Sequence, residues 1–230
     1  MRSDHRHELK TNELVDWLNN LPEWAAQNRK NLIAAGAVIV VAVLVYLWSY
    51  YYHTVASARN QERLTRLVLQ VPEQMNTVMR SAMQGADQSY TLIPISQDLQ
   101  DFAGDTSNDN MAALALIKRG ETLRAELHLR LKDAAPDELN AQIAKAKASY
   151  QEALDRKPSS VTLLAAARFG LGLCEEELGN FDQAAEIYRE VAQKPEYAGA
   201  AAQAAADYRL KILDDFKANV AFKPAPAQPQ

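Results

Sequence analysis

The sequence predicts an all-α protein: a single transmembrane helix near the N-terminus, followed by a solenoid of helical hairpins. Three observations predict it. From Leu32 to Tyr52 the chain reads LIAAGAVIVVAVLVYLWSYYY, and no Asp, Glu, Lys or Arg occurs between Asn31 and Ala58. Glycine and proline are scarce, 8 and 9 of 230 residues, while helix formers abound. Two later segments repeat one small-residue and aromatic pattern at a spacing of 38 residues.

The first observation carries the membrane assignment. Twenty-one residues rising roughly 1.5 Å each span about 31 Å, close to the roughly 30 Å hydrocarbon thickness of a bilayer. Trp24, Arg29 and Lys30 lead into the stretch, and Tyr46, Trp48, Tyr50, Tyr51 and Tyr52 close it with the aromatic belt expected at headgroup level. Ala56-Ser57-Ala58 has the small-x-small form of a signal-peptide cleavage site. However, the apolar core exceeds the usual 7–15 residues and bulky aromatics precede the site, so the stretch reads as an uncleaved anchor. Nearby charge does not settle orientation, since Arg29 and Lys30 on one side face Arg59, Arg63 and Arg66 on the other. The latter group opens a long domain, where the charge rule weakens, and a cytoplasmic head with an exported C-terminal domain is the reading adopted.

Composition bounds the partners. The chain carries 25 basic and 29 acidic residues, a net charge of −4, which argues against nucleic acid because phosphate binding needs a basic face. Cys174 is alone, so no internal disulfide forms. Its neighbours Leu171, Leu173 and Leu178 mark it as a buried small apolar residue.

Taken in order, residues 1–30 form a short head. His5 and His7 stand beside Asp4 and Glu8, but a terminal tail does not pre-position metal ligands, and no metal is expected. Thr11 caps a short amphipathic helix with Leu14, Trp17, Leu18 and Leu21 on one face before Pro22. The span covers 31–53. Residues 54–105 form a stalk and the first helices of the soluble domain: Leu64, Leu67, Val68, Val71, Met75 and Val78 recur at helical spacing, and Pro72 is expected to kink or restart that helix. A short helix follows around Ile95–Phe102, closed by Gly104. Asp105 to Asp109 is a cap-rich junction opening a helix through Met111, Leu114, Ile117, Leu123 and Leu127, and Pro136 starts another that runs to about Arg156. His128, without a second ligand or acid–base partner in view, reads as a packed or surface residue. Residues 217–230 are proline-rich, lack helical periodicity and are expected to be disordered.

The repeat lies within 106–216. In AKAKASYQEALDRKP, Ala146, Tyr150 and Ala153 precede Pro158; in FDQAAEIYREVAQKP, Ala184, Tyr188 and Val191 precede Pro195. Before the second stands FGLGLCEEELGNF, with Leu171 and Gly172 on one helix and Gly179 at the turn. This resembles the tetratricopeptide repeat, two antiparallel helices with small residues at their crossing, an aromatic packed into the pair and a closing proline. In that reading Ala146, Ala184 and Gly172 let helices approach, and Gly179 takes the left-handed helix end. The first unit departs from the pattern in its long leading helix and its Lys132–Asp137 connection. Tyr197–Phe216 supplies half a unit as a cap.

The layout as a whole (short head, one aromatic-ended span, a Ser57-Ala58-Arg59 junction and a degenerate helical repeat) is similar to the ancillary subunit of the bacterial SecYEG translocon. The segment ISQDLQDFAGDTSNDNMAALALIKRGETL looks like the corresponding region of that family. The resemblance implies a single-pass protein of the bacterial inner membrane whose helical domain faces the periplasm. It would bind other proteins there, translocon subunits or periplasmic chaperones. Matching the second repeat to its family places Phe169, Leu173, Glu176 and Glu177 on the groove side. Read as residues alone, Phe169 and Leu173 suit a core, and Glu175–Glu177 and Asp214-Asp215 suit a solvated surface. The alternative is an adapter in another envelope-assembly or signalling complex, with a cytoplasmic regulatory head. No Ser-His-Asp set, metal-spaced cluster or glycine-rich phosphate loop occurs, so neither enzymatic activity nor a cofactor is expected.

Overall fold

The computed structural model of the chain describes Leu18 and residues 20–217. The predicted cap at Thr11, Leu14 and Trp17 of the head helix, the His5 and His7 pair and the tail beyond Lys217 lie outside the described residues. The described residues form helices joined by short turns and loops, with no strand among them. The chain divides into two units, one up to Arg59 and one from Asn60.

In the first unit residues 20–27 are helical up to a turn at Asn28, whose side-chain amide donates to the Trp24 carbonyl at 3.0 Å. Helix α1, Arg29–Tyr50, has 22 residues, apolar around its whole circumference and none of them buried. It is long and apolar enough to cross a membrane by length and composition. Arg29 and Lys30 stand in its first turn, and Trp24, Trp48, Tyr50, Tyr51 and Tyr52 are all exposed. The α-helix ends three residues before the predicted limit of the span: Tyr51–Ala56 widens into a π-helical turn, directly after the Tyr46 and Tyr50 rings stack at 6.5 Å.

The second unit opens in α2, Ser57–Met83. Leu64, Val71 and Val78 recur every seven residues and are its buried positions, flanked by Leu67, Val68 and Met75. The expected break at Pro72 does not occur, and the helix is continuous through it. Pro72 removes one backbone hydrogen bond, but buried side chains a turn or two on either side hold both halves to the same core, so packing overrides the local rule. The helix stops at Gly85, with φ of +80°, where Gly85 N–H donates to the Ala82 carbonyl and Ala86 N–H to the Ser81 carbonyl.

A 3₁₀ turn, Ser89–Thr91, leads to α3, Leu92–Asp105, which begins earlier than the sequence suggested because Pro94 falls in its first turn, where no N–H is missed. Then come α4, Asp109–His128; α5, Pro136–Asp155; α6, Val161–Glu177; α7, Phe181–Gln193; and α8, Ala201–Lys217. The expected starts at Asp109 and Pro136 are both observed. Asn108 caps α4 by accepting the Met111 N–H at 3.0 Å. Asn108→Ala is therefore expected to cost about 1 kcal/mol. For a domain of this size that lowers the thermal midpoint followed by circular dichroism by about 2–4 °C.

Each helix from α3 to α8 packs on the next, and α4 packs on α6 and α6 on α8 as well. The pattern is two rows, α4–α6–α8 on one side and α5 and α7 on the other. One core runs from α2 to α6 and a second from α6 to α8. Cys174 is fully buried, and that burial pushes its thiol up to about 12, so it packs as an apolar residue.

Candidate protein-interaction cleft

The two repeat tyrosines set how closely the rows approach. Tyr188 on α7 lies over Gly172 of α6, where an added Cβ would stand 2.5 Å from the ring. Tyr150 on α5 is held on two sides: a Cβ on Gly120 of α4 would come within 2.6 Å of its ring, and one on Gly170 of α6 within 2.5 Å. Ala146, Ala153 and Ala184 are fully buried, Pro158 is buried, Leu171 is partly buried, and Pro195, itself exposed, opens the 3₁₀ turn after α7. Gly179 carries φ of +76° and closes α6 with paired bonds, Gly179 N–H to the Glu176 carbonyl and Asn180 N–H to the Glu175 carbonyl. Gly120 and Gly170 escaped the sequence reading, although Tyr150 depends on both.

The α4–α6–α8 row is indented by a cleft of about 260 Å³. Phe169 and Leu173 of α6 form one wall, Ala202 and Ala205 of α8 another, Arg124 of α4 stands at the rim, and Tyr150 lies at the floor. Of the four groove residues expected from the sequence, the structure thus brings Phe169 and Leu173 into the cleft. Phe169 is further fixed by the Tyr188 ring, 5.6 Å away centre to centre.

Glu176 and Glu177 require a correction. Together with Glu175 they do not form a solvated face. Successive helix residues point about 100° apart, so the three carboxylates at the end of α6 reach three different neighbours. Glu175, 1% exposed, pairs with Lys147 of α5 and accepts from the Asn180 amide at 2.9 Å. Glu176 accepts from the Tyr188 hydroxyl of α7 at 2.7 Å and pairs with Arg209 of α8 at 2.9 Å. Glu177 binds Arg124 of α4 through Nη2 at 2.5 Å and Nε at 2.9 Å, and His128 Nε2 at 2.7 Å.

Burial alone would raise the carboxyls of Glu175 and Glu177. Bonds from Lys147 and Asn180 to the one, and from His128 and Arg124 to the other, outweigh burial and hold both below the usual carboxylate range. His128 is thus an exposed residue with an acidic partner 49 positions away.

A second buried acid ties α4 to α5. Glu126 receives Arg130 Nε at 2.8 Å and Nη2 at 3.0 Å, and the Gln142 amide at 3.2 Å. The i,i+4 spacing of Glu126 and Arg130 was the one local signal for it. A separate apolar depression of about 510 Å³ lies between α2, α4 and the start of α6, with Leu64, Val68, Met111 and Leu163 in its walls. Among the described residues no group of three His, Cys, Asp or Glu side chains is placed to hold a metal ion.

Searches against protein-family models, characterised proteins and solved structures give no match to this chain.

Proposed function

We propose that this protein is a membrane-anchored scaffold that docks other proteins on a tetratricopeptide-like stack and carries out no catalysis of its own. The observation that carries this reading is the cleft on the α4–α6–α8 row, whose α6 wall is tied to α4, α5 and α8 by ion pairs from the three glutamates at that helix's end. Stacked helix pairs build the concave surfaces on which helical-repeat proteins bind their partners. Helix α1 holds the scaffold in the inner membrane of a bacterium, the head on the cytoplasmic side and the helical domain in the periplasm. Tethering raises the effective concentration of whatever binds. Translocon subunits and periplasmic chaperones are the partners the sequence resemblance suggests.

The test uses Ala205→Phe, which fills the cleft from α8, in the full chain. The variant is expected to remain in the membrane after alkaline carbonate washing, as the unaltered chain does, and to lose the crosslinked partners recovered from intact membranes. Release of the unaltered chain by carbonate refutes the anchor, and undiminished partner recovery by the variant refutes the cleft.

A further inference from the structure

The cleft on the α4–α6–α8 row continues into a track along α8 that leads to the point where the described chain stops. Ala205, Tyr208, Ile212 and Phe216 lie three or four residues apart and share one face of α8. Ala205 lines the cleft, Ile212 is half-buried, and Tyr208 and Phe216 are 61% and 51% exposed. The last helix of a stack ordinarily turns a polar face to solvent. Two large exposed rings in line with an apolar cleft are therefore a surface built to be covered.

The segment after Lys217 has the reach and the chemistry to cover it. It reads Ala218-Asn219-Val220-Ala221-Phe222-Lys223-Pro224-Ala225-Pro226 and lies outside the described residues. Lys217 stands twelve residues past Ala205, about 18 Å along α8 at roughly 1.5 Å per residue. Ala218 and Asn219 suffice to reverse the chain, since asparagine tolerates left-handed backbone. Residues 220–226 then cover about 22 Å in extended form. That length sets Val220 and Phe222 against Phe216, Ile212 and Tyr208, and brings Pro224 to Pro226 to the cleft walls, Phe169, Leu173 and Ala205. Proline suits those walls. They offer no polar side-chain atom, so ordinary backbone entering between them would leave N–H groups unpaired. Pro224 and Pro226 have no N–H, and their fixed φ, with the extended bias they impose on Lys223 and Ala225, reduces the entropy lost on ordering. Lys223 is the one charged residue of 220–226. Glu121 in the cleft lining, its side chain 43% exposed even when paired with Lys118, offers it a carboxylate, and the like charge of Arg124 is already neutralised by Glu177.

We propose that the segment Val220–Pro226 folds back along α8 and closes the cleft from within the chain. On the reading of the cleft as a docking surface, on which this consequence rests, a partner polypeptide docks by displacing the segment, and the tail is a built-in competitor.

The experiment uses the full chain in lipid nanodiscs that hold one copy each. One sample carries Ala205→Cys with Ala225→Cys. The reference carries Glu186→Cys with Ala225→Cys, position 186 being exposed on α7, while the native Cys174 is fully buried and stays out of the reaction. Under mild oxidation the disulfide between positions 205 and 225 is expected to form roughly 10-fold faster than that between 186 and 225, through the higher local concentration of a docked segment. Adding Phe222→Ser, Pro224→Gly and Pro226→Gly to both samples is expected to bring the two rates together with helix content retained. In intact membranes the same triple change, without added cysteines, is expected to raise the recovery of crosslinked partners severalfold. Equal rates for the two pairs, or a preference for position 205 that survives the triple change, overturns the placement of the segment. Unchanged partner recovery overturns its role as competitor. If the rates are equal while Ala205→Phe still removes crosslinked partners, the docking reading stands and the tail placement fails. If position 205 is preferred while Ala205→Phe leaves partner recovery undiminished, the tail placement stands and the docking reading fails.

Discussion

Gly170→Ala is expected to lower the unfolding free energy by about 2 kcal/mol, although alanine is the better helix former by about 1 kcal/mol. The added methyl would meet the Tyr150 ring at about 2.5 Å, and the ring has little room to retreat because it also packs against Gly120, where a Cβ would likewise stand only 2.6 Å from it. Overpacking of a closed slot generally costs about 1–3 kcal/mol. Gly120→Ala should behave alike, and the double variant should fail to hold α4, α5 and α6 together. Substituting Tyr150 by leucine gives the control. Alone it leaves a cavity and destabilises, but combined with Gly170→Ala the new methyl has room, so the penalties should fall short of additive. Urea unfolding of the four proteins in the cycle measures this. A stabilised Gly170→Ala single variant, or strict additivity, would show that the ring is not clamped.

Arg124→Met produces the second large effect. Glu177 has only 13% of its side chain exposed, and removing its main cation leaves a largely buried carboxylate held by His128 alone. Breaking one side of such a pair costs about 3 kcal/mol at neutral pH. Replacing both members, Arg124→Met with Glu177→Met, is expected to recover most of that loss, since no unpaired charge remains. The pH dependence follows from the direction of the shift. Glu177 sits below its unfolded value, so its contribution is fully present above the ordinary carboxylate value of 4.5 and is lost as pH falls through the lower folded value. Protonation also relieves the unpaired charge in the variant. The difference between Arg124→Met and the unaltered chain should therefore be full at pH 7 and shrink below about pH 4. A constant difference across that range would mean the loss is one of packing, not charge.

These two effects depend on residues of unequal legibility in the sequence. Tyr150 and Tyr188 were visible because their alanine neighbours recur at a fixed interval. The glycine facing Tyr188 was visible too, 16 positions before it, whereas Gly120 precedes Tyr150 by 30 positions. The longer α4–α5 connection hides the equivalent residue from a search by spacing, although the packing is the same. The α6 glutamates misled for a related reason. Three consecutive acids look like a wet surface to any local rule, and the cations that bury them come from positions 124, 147 and 209. Long-range pairing leaves no local pattern. Pro72 shows a local rule overruled by the core packed on either side of it. By contrast, α1, the cap-rich junction of Asp105 to Asp109 and the Pro136 start were legible because each depends only on its own stretch of chain.

The most direct measurement places a photoreactive amino acid at position 205, inside the cleft, and at exposed positions 151 and 186 on the opposite row, each in the full chain in intact membranes. A scaffold that docks proteins on the α4–α6–α8 row predicts discrete crosslinked products from position 205 and none of the same mass from 151 or 186. The same products from all three positions, or products from 151 and 186 with none from 205, would contradict it.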